Sequence, residues 1–381
     1  MRYYDKLYGE IHLPDYMDQV IETRLFRRLH DVATSPLPRG LSTHPHASRF
    51  EHSIGVCHLM NLAVQANSLR PMESLLLTSA LLHDAGNPPF AHLSEPILRK
   101  VTGKNGESFL RDTIQEFAPN GLFESLGTTT EDILEMVTGN KPPLSNLLHG
   151  SMDVDNLDNV GRYWFTCTGG EKPFNGEAIA SAYRLGREVP CYLPFERMVE
   201  ARKWQDTRAL VYRKVYDEPD LGGAMMIFRA MDLAHKHGEI TEDFFYLSDI
   251  EAMGFLSRCN ARSAFLVRQA VNRQWYKMVY AVETKKPSEK LIANCDNVYD
   301  TRSTVADQLA EKFKIPPHAV CVYVGKGRGV RTIHLPFVRA DKSLVKDERA
   351  TKQTYRFKVY VAPEYTSKAL EVGYWAENLL R

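Results

Sequence analysis

The sequence predicts a mainly α protein: a helical body over residues 1–284 and a small α+β lobe over 285–381. Three observations carry this. Apolar residues recur at helical spacing in the body, as in Val20, Ile21, Leu25, Phe26 and Leu29, and again in Leu75, Leu76, Leu77 and Leu81. Strand-like alternation is read only near the C-terminus, over 319–324 and 355–361. A cluster of Lys285, Lys286, Pro287 and Lys290 separates the two regimes.

In chain order, 8–14 reads as a turn or short strand and 20–30 as a helix whose apolar residues face a core. The run 72–82 is a greasy helix stopped by Gly86, Pro88 and Pro89, and the next helix is expected to begin near Phe90. Helices follow over 108–117 and 130–137, and Pro142 and Pro143 break the chain after them. An amphipathic helix covers 223–237; 305–313 and 365–380 are helices of the lobe.

Composition narrows the function classes. Lys plus Arg total 48 and Asp plus Glu 47, so no overall field points to nucleic acid or membrane. A basic turn of Lys326, Arg328 and Arg331 reads as a solvated loop, with a phosphate or nucleic-acid contact as the alternative. The six cysteines form no CxxC pair and read as reduced thiols. The start lacks an apolar signal core, and no apolar run reaches the length of about 18 residues that a membrane span needs. The expected location is the cytoplasm.

The chemistry is concentrated in short words. His83 and Asp84 stand side by side at the end of the greasy helix and run on to His92 through Ala-Gly-Asn-Pro-Pro-Phe-Ala. Upstream lies Arg49-Phe-Glu-His52-Ser; downstream lies Asp153-Val-Asp155. Imidazoles and carboxylates are ligands for a divalent cation. Arg49, three residues before His52, shares its helix face, and a guanidinium fork suits a phosphate. His92 and Glu95, again three apart, put a carboxylate beside an imidazole, as proton transfer needs. Further on, Arg208, Tyr212, Arg213 and Tyr216 combine cations with aromatic faces, a set able to grip phosphate and stack on a base or sugar.

These words, in this order, resemble the HD-domain phosphohydrolase superfamily. Within it they resemble the deoxynucleoside triphosphate triphosphohydrolases: the dGTPases and the SAM-and-HD-domain dNTPases. The resemblance runs nearly end to end and is densest at 48–95 and 151–158. It implies an HD-domain helical body, with His52, His83, Asp84 and Asp155 as metal ligands and Asp153 as the spare carboxylate. It implies His92 and Glu95 as the catalytic pair, Arg49 and Arg208 on phosphate, and Tyr216 beside the nucleoside. The implied cofactor is a divalent ion, with Mn, Mg, Fe, Ni and Zn not distinguished by the donor set, and with Mg entering on a nucleotide substrate. Family members cut at the α-phosphate, releasing nucleoside and triphosphate, and a homo-oligomer is implied. There are departures. Asn87 and Asn156 stand where the SAM-and-HD-domain enzymes have a His and a Lys, and Asn159 and Tyr163 where they read the sugar. Glu22 and His30 match positions that bind their guanine activator. Two alternatives stand beside dNTP hydrolysis: another HD phosphatase or phosphodiesterase acting on a monophosphate, cyclic nucleotide or alarmone, and a non-catalytic nucleotide sensor or nucleic-acid-binding relative.

Overall fold

The computed structural model describes residues 2–327, 330–349 and 353–380. It is mainly helical, with a small sheet toward the C-terminus. An antiparallel hairpin, β1 (Arg2–Asp5) and β2 (Gly9–His12), opens the chain. The single helix expected over 20–30 is instead three short pieces, Asp18–Ile21, Arg24–Arg27 and a 3₁₀ turn Arg28–Asp31. Thr23 is the reason. It is extended, donates to Val20 O at 2.6 Å, and accepts from Phe26 N at 3.3 Å, closing one helix and capping the next. The apolar face survives the breaks: Val20, Ile21, Leu25, Phe26 and Leu29 are all buried.

The body is then built from α1 (Arg49–Ala66), α2 (Glu73–Leu82), α3 (Glu95–Thr102), α4 (Gly106–Phe117), α5 (Val154–Thr168), α6 (Met198–Val215), α7 (Asp220–Lys236) and α8 (Ala261–Val271). A capping box of Ser48 and Glu51 starts α1. The remainder supplies β3 (Lys277–Thr284), α9 (Val298–Lys312), β4 (Val320–Gly327), β5 (Thr354–Val361) and α10 (Ala369–Leu380). The three strands form an antiparallel sheet in the order β3-β5-β4. β3 ends at Thr284, so the sheet takes in residues ahead of position 285. Its side chains are exposed or half-buried throughout, leaving no alternating apolar face to read in its sequence.

Two hydrophobic cores result. One gathers the hairpin, α1, α2 and α5; the other gathers α7, α8, α9 and the sheet. Leu81, Leu82 and Ala85 belong to the first, whereas Phe90, Leu93, Ile97 and Leu98 belong to the second. The chain therefore crosses between cores in the turn that follows His83 and Asp84.

The segment after β4 returns to the body. Arg331 Nη1 donates to Asn156 Oδ1 in the first turn of α5 at 2.9 Å, and its Nη2 to Gly150 O in the loop before that helix at 3.1 Å. Gln205 of α6 donates to Arg331 O at 3.0 Å and to Asp347 at 2.6 Å. Of the basic turn, Lys326 pairs with Asp296, Arg331 is engaged by α5, and Arg328 lies outside the described residues. No helix among the described residues is long and apolar enough to cross a membrane.

The turn also explains a glycine. A Cβ on Gly86 would meet Gly106 O at 2.2 Å and Leu110 N at 2.6 Å, both backbone atoms of α4. Gly86→Ala is expected to lower unfolding free energy in urea by about 3 kcal/mol or more, since rigid backbone cannot yield. Gly103→Ala, at φ +75° with no atom within 4 Å, should cost only about 1 kcal/mol.

Candidate metal centre and active site

The centre is assembled from three helices of the first core. His52 lies in the first turn of α1, His83 and Asp84 end α2, and Asp155 lies in the first turn of α5. Both imidazoles are held in one tautomer. His83 Nδ1 lies 2.8 Å from Ala80 O, which can only accept, so Nδ1 carries the proton and Nε2 keeps its lone pair. His52 Nδ1 donates to Asp158 Oδ1 at 2.7 Å, freeing its Nε2 in the same way.

The free atoms converge. His52 Nε2 and His83 Nε2 are 3.3 Å apart, and Asp155 Oδ1 lies 3.0 and 3.6 Å from them. Asp84 Oδ2 lies 3.5 and 3.4 Å from the same two nitrogens. Bonds of about 2.1 Å give octahedral or tetrahedral edges of about 3.0 to 3.4 Å, close to the 3.0 to 3.6 Å spacing of this set. His52, His83 and Asp155 form a cluster that can hold a metal ion, with one donor atom from each. Asp84 is also drawn toward Arg49, whose Nη1 pairs with the same Oδ2. Two neutral imidazoles and two carboxylates suit a divalent cation and do not choose among the first-row metals.

The electrostatics agree. Burial pushes His52 down, but hydrogen bonds to Asp155 and Asp158 and the charge of Asp84 hold it up at about 9. His83 is likewise raised, with Asp84 and Asp155 outweighing burial. Burial opposes ionisation of Asp84, yet Arg49 and the two histidines keep it well below the usual carboxylate range. Asp155 is depressed too, against burial, by His52 and His83. The pocket favours positive charge. Asp153, the spare carboxylate, is the N-cap of α5: Oδ1 accepts from Asn156 N at 2.7 Å and Oδ2 from Gly150 N at 2.6 Å. Burial and then Asp155 push it up to about 6.

His92 and Glu95 are not on one continuous helix. Phe90 and Ala91 have φ of 61° and 46°, a short 3₁₀ turn covers Ala91–Leu93, and α3 starts at Glu95. The left-handed pair is held from outside: Phe90 N donates to Asp249 Oδ1 at 2.7 Å, and Ser94 Oγ to Pro89 O. The outcome still brings His92 Nδ1 to 3.1 Å from Glu95 Oε1. Arg28, which sequence reasoning passed over, donates to Ala85 O, Asn87 O and Leu247 O at 2.7 to 3.0 Å and so fixes the carbonyls of the same turn.

A cavity of about 460 Å³ adjoins the centre and is lined by Arg49, His92, Glu95 and Tyr216, together with Asn159 and Tyr163 of α5. Arg208 is not among its lining residues. It is buried, and its guanidinium lies 4.5 Å from the ring of Tyr212, which does line the cavity. Tyr216 is covered by the Arg356 guanidinium at 4.4 Å. Of the activator positions, Glu22 pairs with Arg27 and His30 stacks on Phe50 with centroids 3.6 Å apart. Asp158 is the residue that sequence reasoning left without a role; its spacing of three from Asp155 on α5 was the available signal.

Residues 49–161 match the family model of the HD domain, a span that contains His52, His83, Asp84, His92, Glu95 and Asp155. The chain is 24% identical over 278 residues to the deoxynucleoside triphosphate triphosphohydrolase SAMHD1 homolog of Dictyostelium discoideum, covering 66% of this chain and 49% of that protein. It is 25% identical over 304 residues to an uncharacterised protein of Methanocaldococcus jannaschii, covering 76% and 62%. A stretch of 92 residues is 35% identical to deoxyguanosinetriphosphate triphosphohydrolase-like protein 1 of Deinococcus radiodurans, 24% of each chain. The chain thus spans 49% and 62% of the first two of these relatives. Two solved structures share its fold: a hypothetical protein from Aquifex aeolicus (TM-score 0.73, 20% identity, 98% of this chain and 99% of that one) and a phosphohydrolase from Bacteroides thetaiotaomicron (TM-score 0.68, 15% identity, 95% and 99%). The match to the HD-domain family model thus falls on the very residues that build the candidate centre.

Proposed function

We propose that this chain hydrolyses deoxynucleoside triphosphates to nucleoside and triphosphate, using a divalent metal held by His52, His83, Asp84 and Asp155. The observation that carries the reading is the convergence of two lone-pair nitrogens and two carboxylate oxygens beside a cavity that also presents Arg49, His92 and Glu95. Relatives named for this activity on deoxynucleotides support the choice of substrate. The cavity also falls in the range of about 300 to 1,000 Å³ typical of small-molecule sites.

When bound, the cation supplies Lewis-acid activation of water and withdraws charge from the phosphate. The protein's own groups do the rest. Arg49, buried against the ligand set, meets negative charge that grows on the transferring group. His92, exposed at the rim and oriented by Glu95, moves the proton between water and the leaving oxygen. Tyr216, fixed by Arg356, offers a face to the nucleoside. Arg208, stacked under Tyr212, adds positive charge for the outer phosphates. Magnesium arrives with the nucleotide, and the expectation of a homo-oligomer is kept as part of the proposal.

Incubation with Mn²⁺ and a panel of nucleotides, followed by chromatography, tests the reaction: tripolyphosphate and nucleoside are the expected products. Monophosphate or pyrophosphate in their place would move the chain to a different HD activity.

Metal analysis tests the ligands. Asp84→Asn and His83→Gln should each lose tightly bound metal together with turnover, and unchanged occupancy in either would refute the assignment. Asp158→Asn should leave all four ligands present but weaken metal binding by roughly 10- to 100-fold, because the charged carboxylate behind His52 Nδ1 is replaced by a neutral amide.

Kinetics separates protons from phosphate charge. His92→Ala should keep its metal and its KM while kcat falls roughly 10²- to 10⁴-fold. Arg208→Ala should instead raise KM, more for a triphosphate than for a monophosphate. Near-normal kcat in the His92 variant would remove it from the chemistry.

A further inference from the structure

The cavity that reaches Arg49 and His92 has another wall, built by the second core from the start of α9 and from β4. Its central group is Arg302, one turn into α9 and only 8% exposed. The guanidinium lies 5.0 Å from the rings of both Phe228 and Tyr323. Nη2 donates to Val324 O at 3.0 Å, and Nε is buried without an acceptor.

What sets this arginine apart is its charge balance. Arg162 has Asp5 and Asp158, Arg229 has Asp232 and Asp307, and Arg28 reaches three carbonyl oxygens. Arg302 has one carbonyl and, among the described residues, no ion pair. The carboxylates around this wall are already matched: Asp296 with Lys326, Asp300 with Lys100 at 3.3 Å, and Glu283 with Arg356 at 2.8 Å. A buried charge without a counter-charge is costly unless a ligand brings one.

A second observation points the same way. Asn297, at the N-cap of α9, makes no side-chain cap, and residues 297–299 line the cavity. The first amides of a helix of 15 residues are thus left without a side-chain acceptor beside the unmatched arginine. Across the cavity, the exposed Arg99 of α3 makes no ion pair among the described residues.

We propose that this wall is a second phosphate site, taking a phosphate group on Arg302 and the first turn of α9, with Arg99 at the lip. The phosphate can be carried by the substrate itself, as a nucleotide phosphorylated at both the 5′ and 3′ positions, or by a separate small ligand. The site stands whether or not the chain hydrolyses triphosphates, because it uses none of the metal ligands.

Calorimetry on the full chain stripped with EDTA tests it with three probes: inorganic phosphate, deoxyadenosine 5′-monophosphate and deoxyadenosine 3′,5′-bisphosphate. The expected result is bisphosphate binding roughly tenfold tighter than monophosphate. That advantage should vanish in Arg302→Gln and persist in Arg49→Gln. Inorganic phosphate bound by the parent protein and weakened roughly tenfold by Arg302→Gln, with no bisphosphate advantage, would instead assign the site to a separate ligand. Arg302→Lys, which keeps the charge between the two rings, should retain more affinity than Arg302→Gln at an unchanged melting temperature. Should Arg302→Gln fail to fold, Arg99→Gln on the surface carries the test, with a two- to fivefold loss expected. Equal binding of every probe by parent, Arg302 and Arg99 variants overturns the proposal, as does a parent protein that binds none of them. A protein that binds in this pattern yet releases no triphosphate would defeat the hydrolysis reading alone.

Discussion

The proposed centre crowds together two imidazole nitrogens and two carboxylate oxygens, each oxygen 3.0 to 3.6 Å from the nitrogens, and the oxygens carry negative charge. Left to themselves the carboxylates would separate and the imidazoles would rotate. The surrounding residues read as answers to that constraint. Asp158 and the Ala80 carbonyl stop the rings from turning. Arg49 neutralises Asp84, while Arg162 neutralises and anchors Asp158 behind His52 and is itself held by Asp5. Gly55 in α1 makes room for that anchor, since a Cβ there would lie 2.0 Å from Asp158 Oδ2. Burying so many ions is unfavourable unless each finds a partner, and here the partners come from the hairpin, α1 and α5.

The proposed acid–base pair is placed by a different device. His92 and Glu95 follow the turn that carries the chain from one core to the other. Arg28 holds the first half of that turn through its carbonyls, and Asp249 holds the second half through Phe90 N while also accepting from Ala33 N at 3.0 Å. Burial raises Asp249 to about 6 even so, a sign of how far from water the turn is fastened. The separation between the proposed metal ligands and the proposed acid–base pair is therefore set by how two cores meet, not by one helix.

Much of the candidate centre was legible because the residues brought together there sit in short words: His83 and Asp84 are neighbours, and His52 and Asp155 each lie in the first turn of a helix. Helix spacing also linked Arg49 to His52 and His92 to Glu95, although the second link is made by a left-handed turn that no periodicity reports. Other parts were not legible. Thr23 splits an apolar-periodic stretch through its hydroxyl alone. β3 has no buried face, so its membership of the sheet depends on β5. Arg208 sits in an aromatic-rich run but faces Tyr212 instead of open cavity. Arg302 and Arg331 acquire their meaning from residues far away in sequence, and spacing cannot see those contacts.

The segment recognisable as an HD domain, 49–161, does not satisfy its own polar groups. The amide of Phe90 is completed by Asp249, the carbonyls of Ala85 and Asn87 by Arg28, and the side chain of Asn156 by Arg331, all from outside the segment. The segment that matches the HD-domain model is thus smaller than the unit within which its polar groups are satisfied. Recombination that moved this segment into another chain would transfer the His and Asp cluster but leave several donors and acceptors stranded in a dry interior. A transplant that keeps these groups paired would have to carry the flanking loops and the returning C-terminal segment along with the motif.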